Sequence, residues 1–290
     1  MNEQALKARL KYIAKEQGKQ FNEVWKLLVL ERFLARLSRS DYSDKFVFKG
    51  GLLLSHYLVI GRETSDVDLL ARRLNSERKQ MEQIMHEICL LHLHDGFHMQ
   101  FESLDDLDHQ HMNYPGFQAR ITVHFGVMSD KFFVDIGVGD VVEPVSLDWP
   151  SFVYKEKSLF EDFISLNVYP VETIFAEKLE TVISRGAANS RMKDYHDLLL
   201  LCRESKLIDK SRLQENIRQT FQNRGTTFSI PIQFQPDELS RMQILWSGHL
   251  RVLGDARSQS LSLPKDIAQV IEDLNQWLDG NVNSHLLTAY

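Results

Sequence analysis

Residues 46–70 read FVFKGGLLLSHYLVIGRETSDVDLL, in which two apolar segments flank a glycine pair and a helix-like run. The pattern predicts a strand over 45–49, a turn at Gly50-Gly51, a helix over 52–58 and a second strand over 65–71. In this order of elements the glycine pair leads directly into the N-terminus of the helix.

Asp66 and Asp68 lie two residues apart in the second predicted strand, so their side chains share one face. Val67 and Leu69 point the other way, into a core. Two neighbouring carboxylates repel each other unless a cation lies between them, and hard oxygen ligands suit Mg²⁺. We therefore predict a magnesium site at Asp66 and Asp68, with two solvated carboxylates at a strand end as the alternative.

The glycine pair adds a candidate phosphate site. Free backbone N–H groups at a helix N-terminus can bind phosphate, so Gly50 and Gly51 are predicted to contact a nucleotide. Arg62 precedes the second strand and is a further candidate phosphate contact, or else a solvated loop arginine. A phosphate-binding turn beside a magnesium-binding carboxylate pair is the minimal equipment for nucleotidyl transfer.

A strand-rich block follows, in which polar and apolar residues alternate over 97–101 and 119–125. A turn near Ser129-Asp130 is expected to lead into an antiparallel partner strand over 131–138. There Asp135 faces away from its apolar neighbours. Three carboxylates on neighbouring strands would hold one or two Mg²⁺ ions; Asp135 is otherwise a general base or a plain strand-edge carboxylate.

Composition narrows the class of protein. The chain has 290 residues, a net charge of −6 and two cysteines. No apolar run is long enough to span a bilayer, and the charged N-terminus has no signal-peptide core, so we expect a cytoplasmic protein without a membrane partner. The acidic balance excludes a chain-wide basic surface for nucleic acid, so an RNA would need a local basic patch.

Apolar periodicity predicts two opening helices, over 3–16 and 22–39. Strand signals fade after Pro150, and helices dominate afterwards. We predict an α+β fold: a mixed sheet with flanking helices in a domain over 1–150, then a helical domain over 151–290.

The helical half carries a charged constellation, made up of Lys178, Arg185, Arg191, Lys193, Asp194 and Asp197. Composition alone favours an ordinary salt-bridged surface, with Lys193 pairing to Asp197 at i,i+4. The alternative is a cationic wall over a triphosphate or a nucleic-acid backbone, in which the aspartates orient the cations.

At this point the chain resembles the AbiEii/AbiGii toxin family of nucleotidyltransferases, in the DNA polymerase β-like superfamily. The resemblance rests on four segments in consistent order: ERFLARLSRSDYSDKFVFKGG (31–51), RETSDVDLL (62–70), VETIFAEKLETVISRG (171–186) and RMKDYHDLLLL (191–201). It implies a nucleotidyltransferase-fold sheet in a catalytic domain over 1–150, with the helical domain over 151–290 contributing to the active-site cleft. It also implies that Asp66 and Asp68 bind catalytic Mg²⁺ and that Gly50 and Gly51 contact the nucleotide phosphates.

The resemblance also implies that Asp135 is the third carboxylate, that Lys178 contacts the nucleotide and that Asp194 belongs to the last functional motif. One departure is Leu52, where many relatives have Thr or Ser to reach the phosphate.

The expected function is an Mg²⁺-dependent toxin of a toxin–antitoxin or phage-defence pair. It would transfer NMP from an NTP to an RNA acceptor, with tRNA favoured, block translation and have a cognate antitoxin. The alternatives are a transferase for a small molecule such as an aminoglycoside, which the negative charge favours, and a non-catalytic nucleotide- or RNA-binding protein, which only Leu52 favours.

Overall fold

A computed structural model of the protein describes residues 1–74, 77–107 and 116–283. In these ranges the helices are α1 Glu3–Glu16, α2 Phe21–Arg39, α3 Gly50–Tyr57, α4 Arg78–Leu90, α5 Val171–Arg185, α6 Met192–Arg203, α7 Lys210–Arg224, α8 Pro236–Leu253, α9 Asp255–Ser260 and α10 Ile267–Asn281. The strands are β1 Phe46–Lys49, β2 Asp66–Ala71, β3 His98–Leu107, β4 Gly116–Phe125, β5 Met128–Val138, β6 Val145–Pro150, β7 Val153–Tyr154, β8 Lys157–Ser158 and β9 Phe163–Val168.

Seven strands form one mixed sheet in the order β3-β4-β5-β2-β1-β9-β6. Strand β2 runs parallel to β5, and β1 runs parallel to β9, whereas the other neighbours are antiparallel. The predicted α+β class, with a mixed sheet and a helical C-terminal part, is confirmed.

The core of the sheet follows from the alternation of buried and half-buried residues over 66–69 of β2 and 132–137 of β5. Val67 and Leu69 of β2 and Val134 and Ile136 of β5 are fully buried, and burial of each such side chain contributes about 1.5–3 kcal/mol. Because residues alternate between the two faces, this core fixes which side chains face outward on both strands.

The hairpin between β4 and β5 turns earlier than the predicted Ser129-Asp130, and that prediction is wrong. Phe125 pairs with Met128, so Gly126 and Val127 form the connection. Gly126 has a φ of +60°, a conformation that glycine adopts without steric cost. Ser129 and Asp130 are paired strand residues instead.

The contacts divide the chain into two units. The sheet unit comprises residues 1–53 and 63–169, and the helical unit comprises residues 54–62 and 170–290. The predicted boundary after residue 150 differs from this division, because β9 pairs with both β1 and β6 and so belongs to the sheet. No helix within the described residues is long and apolar enough to cross a bilayer.

Candidate active site

Gly50 joins β1 to α3 in the sheet unit and lies directly against Asp68. Its φ is +79°, and a Cβ at this position would lie 1.9 Å from Oδ2 of Asp68 and 2.3 Å from its Cγ. Both the backbone conformation and the lack of space require glycine. The start of α3 therefore approaches the Asp68 carboxylate more closely than any other residue type would allow.

Leu52 follows the glycine pair, and its side chain is buried in the core. The residue that lacks the expected hydroxyl therefore also points away from solvent. The side chain of residue 52 therefore cannot donate a hydrogen bond to a phosphate. A phosphate bound here would accept hydrogen bonds from the backbone N–H groups of Gly50 and Gly51 instead.

Strand register brings two of the predicted carboxylates side by side. Asp68 of β2 is the direct partner of Asp135 on β5, and Asp66 is the partner of Phe133. All three aspartates are half-buried. In contrast, Val67, which separates Asp66 from Asp68, and the two neighbours of Asp135 in sequence are buried. Asp66, Asp68 and Asp135 therefore share the outward face of the sheet, because side chains alternate along each strand.

Gln118 of β4 orients Asp135 from the next strand. It lies opposite Asp135 in the ladder, and its Nε2 donates to Asp135 Oδ1 at 2.8 Å. Gln118 is not among the site residues predicted from the sequence. The available signal was its position between buried Phe117 and Ala119, which puts a polar amide on the outward face.

Lys49, the last residue of β1, pairs in register with Asp68. Its Nζ donates to the Tyr169 hydroxyl at 3.2 Å and lies 3.6 Å from Asp140 Oδ2. The ammonium also lies 4.8 Å from the centroid of the Tyr169 ring. A cation is thus fixed next to the acidic face by contacts within the sheet unit.

The donor chemistry of the acidic face fits Mg²⁺. Carboxylate oxygens that share one partly solvated face are the ligands this cation takes in proteins. Within residues 1–74, 77–107 and 116–283, no three histidine, cysteine or acidic side chains converge closely enough to hold a metal ion. Magnesium binding by Asp66, Asp68 and Asp135 therefore stays a prediction.

The helical unit contains a separate ion cluster around Asp197 of α6. Lys178 of α5 donates from Nζ to Asp197 Oδ2 at 2.7 Å and to Asp194 Oδ1 at 3.2 Å. Arg62 forms a bidentate pair with Asp197, through Nε at 3.0 Å and Nη2 at 2.7 Å. One carboxylate thus holds two of the predicted nucleotide-binding cations in fixed positions.

Arg191 caps the exposed side of this cluster, with its Nε donating to Asp194 Oδ2 at 2.8 Å. Its side chain is 42% exposed, whereas those of Asp194 and Asp197 are 1% and 0% exposed. Asp197 therefore pairs with buried cations rather than with Lys193, which is exposed.

The pKa values follow from this pairing. Burial opposes ionisation of Asp197, but the positive charges of Lys178 and then Arg62 outweigh it and hold its pKa well below the ordinary value. Burial likewise lowers the pKa of Lys178, but Asp197 and Asp194 raise it above the ordinary value. Asp197 and Lys178 are thus both charged at neutral pH.

His196 and His249 form a neutral pair next to Asp197, and the sequence analysis missed both. His196 Nδ1 lies 2.9 Å from His249 Nε2, and the ring of Trp246 stacks on His249. Burial lowers the pKa of His196 to about 4 and also lowers the pKa of His249. Both imidazoles are therefore uncharged at neutral pH.

A family model described as "Nucleotidyl transferase AbiEii toxin, Type IV TA system" matches residues 32–273. The chain belongs to the AbiEii family. The protein is therefore a nucleotidyltransferase of the type IV toxin–antitoxin class, as the sequence resemblance predicted. Membership implies a nucleotide substrate and a cognate antitoxin.

Two solved structures resemble this AbiEii protein. JHP933 from Helicobacter pylori aligns over 90% of this chain and 94% of its own, with 12% identity and a TM-score of 0.46. A protein from H. pylori with a provisional nucleotidyltransferase assignment aligns over 86% and 90%, with 12% identity and a TM-score of 0.40. No curated protein matches the chain.

The predicted site residues of this AbiEii protein fall into two groups, one in each unit. The sheet unit holds Gly50, Gly51, Asp66, Asp68 and Asp135. The helical unit holds Arg62, Lys178, Arg191 and Asp194. In the sheet unit Asp68 pairs in register with Asp135 and lies against Gly50. In the helical unit Asp194 contacts Lys178 and Arg191. The catalytic roles of these residues remain predictions.

Proposed function

We propose that this AbiEii protein transfers a nucleoside monophosphate from an NTP to a hydroxyl of an RNA, with tRNA as the acceptor. The observation that supports this is the register pair Asp68 and Asp135, which face outward together beside the Gly50 backbone. Two oriented carboxylates next to exposed helix N–H groups suit a triphosphate and an attacking hydroxyl.

In the proposed reaction the acceptor hydroxyl oxygen attacks the α-phosphorus of the NTP. A new phosphorus–oxygen ester bond forms, the bond between the α-phosphorus and the bridging oxygen breaks, and pyrophosphate leaves. The hydroxyl proton passes to Asp135 or to solvent. Gln118 supports the first route, because its hydrogen bond fixes one oxygen of Asp135 and leaves the carboxylate oriented.

Asp66, Asp68 and Asp135 would hold Mg²⁺. When bound, this cation lowers the pKa of the attacking hydroxyl and neutralises charge on the triphosphate. The chain's own contribution is to position the carboxylates: Val67 and Val134 anchor the two strands in the core, and Gly50, which has no Cβ, leaves the space that the Asp68 carboxylate occupies.

For the helical unit we propose that Lys178, Arg62 and Arg191 contact the nucleotide and that Asp194 orients two of them. The buried carboxylates support this role, because they hold Lys178 and Arg62 in one geometry before any substrate binds. Arg191 is the most exposed of the three and has the most freedom to reach a phosphate.

Biologically we propose that RNA modification blocks translation and that the toxin acts in phage defence. Expression without antitoxin should then arrest growth, and the arrest should require the carboxylates.

Incubation of the purified protein with total cellular RNA and each α-³²P-labelled NTP tests the proposal. We expect label in RNA of tRNA size with at least one NTP, no label without a divalent cation, and no label with Asp66→Asn. Asp41→Asn is the matched control, because it removes an exposed carboxylate from the same unit, outside the strands of the sheet.

Equal labelling by Asp66→Asn and the wild type would overturn the carboxylate mechanism. A parallel incubation with aminoglycosides tests the acceptor class, and label on the drug but not on RNA would replace RNA with a small cationic acceptor.

A further inference from the structure

The basic and aromatic cluster between α1 and the β7–β8 hairpin lies outside the catalytic residues. It consists of Arg9 and Tyr12 on α1 with Tyr154 and Lys155 on the hairpin. We propose that this cluster, the tyrosine patch, binds a single-stranded segment of the RNA acceptor. The inference rests on the proposed function, because it assumes that RNA is the acceptor.

Stacking surfaces are the first support. The rings of Tyr12 and Tyr154 lie 5.2 Å apart and edge-to-face, and Tyr12 is 40% exposed. Neighbouring Val153 is exposed as well. An exposed ring held rigidly by a second ring presents a flat face on which an unpaired base can stack.

The charges around the rings are the second support. The Arg9 guanidinium lies 5.5 Å from the centroid of Tyr154, and the Lys155 ammonium lies 5.5 Å and 5.9 Å from the centroids of Tyr154 and Tyr12. Neither cation forms a salt bridge within the described parts of the chain. Both are therefore available to phosphates.

Local charge has the sign that RNA requires. Lys15 and Lys157 are exposed on the same two elements as the patch, and so are the acidic residues Glu16 and Glu156. Over α1 and the hairpin together the cations outnumber the acids by six (Lys7, Arg9, Lys11, Lys15, Lys155 and Lys157) to three (Glu3, Glu16 and Glu156), in a chain whose net charge is −6. A local excess of cations interleaved with aromatic rings is typical of surfaces that bind single-stranded nucleic acid. Such a surface is less suited to an acidic partner that has no aromatic rings.

Backbone conformation is the third support. Lys155 and Glu156, the two central residues of the hairpin turn, have φ values of +47° and +64°. Type I′ turns favour Asn and Gly at these positions, and a lysine there is strained. The strained turn holds the Lys155 ammonium over both tyrosine rings.

Fluorescence anisotropy with a fluorescein-labelled single-stranded RNA and with labelled tRNA tests the patch. We expect R9Q/K155Q to bind about tenfold more weakly than the wild type. Its slope of log K against log salt should be smaller by about 1.4, because two phosphate contacts are lost. The double variant K79Q/K265Q is the control, since it removes the same charge from exposed lysines elsewhere.

Substitutions at Tyr12 separate stacking from packing. Y12L keeps an apolar side chain and should lose about tenfold in affinity, whereas Y12F keeps the ring and should bind within twofold of the wild type. Thermal unfolding midpoints should match the wild type for all variants. Affinities of R9Q/K155Q and Y12L within twofold of the control variant would overturn the patch.

The labelling assay distinguishes the two proposals. If the patch binds the acceptor, R9Q/K155Q raises KM for RNA and leaves KM for NTP and kcat unchanged. If the wild type labels RNA and R9Q/K155Q has the KM of the control, the patch proposal fails while the proposed function stands. If the wild type labels no RNA, the proposed function fails and the patch fails with it.

Discussion

The acidic face of the sheet and the ion cluster of the helical unit use aspartates in opposite ways. Asp68 and Asp135 are half-buried and face outward side by side on neighbouring strands. Asp197 is fully buried and pairs with Lys178 and Arg62 of the protein itself. In the first arrangement the carboxylates share a partly exposed face of the sheet, whereas in the second Asp197 contacts two cations of the protein.

The difference separates a chemical role from a positioning role. Removing a buried ion-pair partner leaves uncompensated charges in the interior, which mainly lowers stability. Removing a half-buried carboxylate of the acidic face should leave the fold intact and remove a proposed Mg²⁺ ligand or base. The two regions should therefore respond to the same substitution, Asp to Asn, with opposite effects on stability and activity.

Asp197→Asn should have the largest effect on folding. It leaves Lys178 and Arg62 without their shared counter-charge, so we expect a loss of about 3–5 kcal/mol in the free energy of unfolding. Urea unfolding followed by circular dichroism measures it. The control is Asp237→Asn, whose side chain is 76% exposed, and which should cost less than about 0.5 kcal/mol. Equal losses would remove the distinction between the two regions.

Asp68→Asn should show the reverse pattern. We expect transfer to RNA to fall about 10²–10³-fold, as for loss of one group that stabilises transition-state charge. The free energy of unfolding should change by less than about 1 kcal/mol, because the substitution also relieves repulsion from Asp135. Initial rates of label transfer and urea unfolding on the same preparation test both parts. A stable variant with an unchanged rate would contradict the chemical role.

His196 should make stability depend on pH. In the folded protein the pKa of His196 is about 4, below the ordinary value of 6.5. Its contribution to the free energy of unfolding is therefore complete above pH 6.5 and is lost as the pH falls toward 4. The expected loss is about 3 kcal/mol.

Burial raises the pKa of Glu31 to about 7, so the contribution of Glu31 to the free energy of unfolding is present at low pH and lost as the pH rises.

The two contributions oppose each other in the wild type, so the difference between wild type and His196→Gln isolates the histidine. Unfolding free energies at pH 7.5, 6.5 and 5.5 should show this difference shrinking as the pH falls. A difference that does not vary with pH would refute the buried neutral imidazole.

Gly50→Ala should lower the free energy of unfolding by about 1–3 kcal/mol, because of the strained φ and the overlap with Asp68. The transfer rate should fall as well, because Asp68 has to move. Gly248→Ala is the matched control: no atom lies within 4 Å of its Cβ position in α8, and alanine should stabilise the helix by about 0.5–1 kcal/mol. Thermal unfolding of both variants measures the contrast.

Local patterns predicted the elements that position the acidic face. The apolar pattern over 65–71 predicted β2 to within one residue, because Val67 and Leu69 share one buried face whatever the neighbouring strands are; Leu70 and Ala71 are buried as well. Helix α1 was predicted with its observed bounds, Glu3–Glu16, since its apolar stripe and the Asn2 cap are both local signals. Strand β9 was not predicted.

Partner choice was beyond local patterns. Gln118 and Asp135 are 17 residues apart, and His196 and His249 are 53 apart. Which side chains meet over such separations depends on strand order and helix packing, which a single sequence does not reveal. The same reason explains why Asp197 was assigned a surface pair with Lys193, a neighbour in sequence.

The short segment 54–62 has a consequence for dissecting the molecule. It belongs to the helical unit and carries Arg62, although 107 residues of the sheet unit, 63–169, separate it from the rest of that unit along the chain. A fragment that begins at Pro170 would lack Arg62. Its Asp197 would keep the contact with Lys178 but lose the bidentate pair with the arginine. Autonomous expression of the helical unit would therefore require residues 54–62 to be fused back by circular permutation.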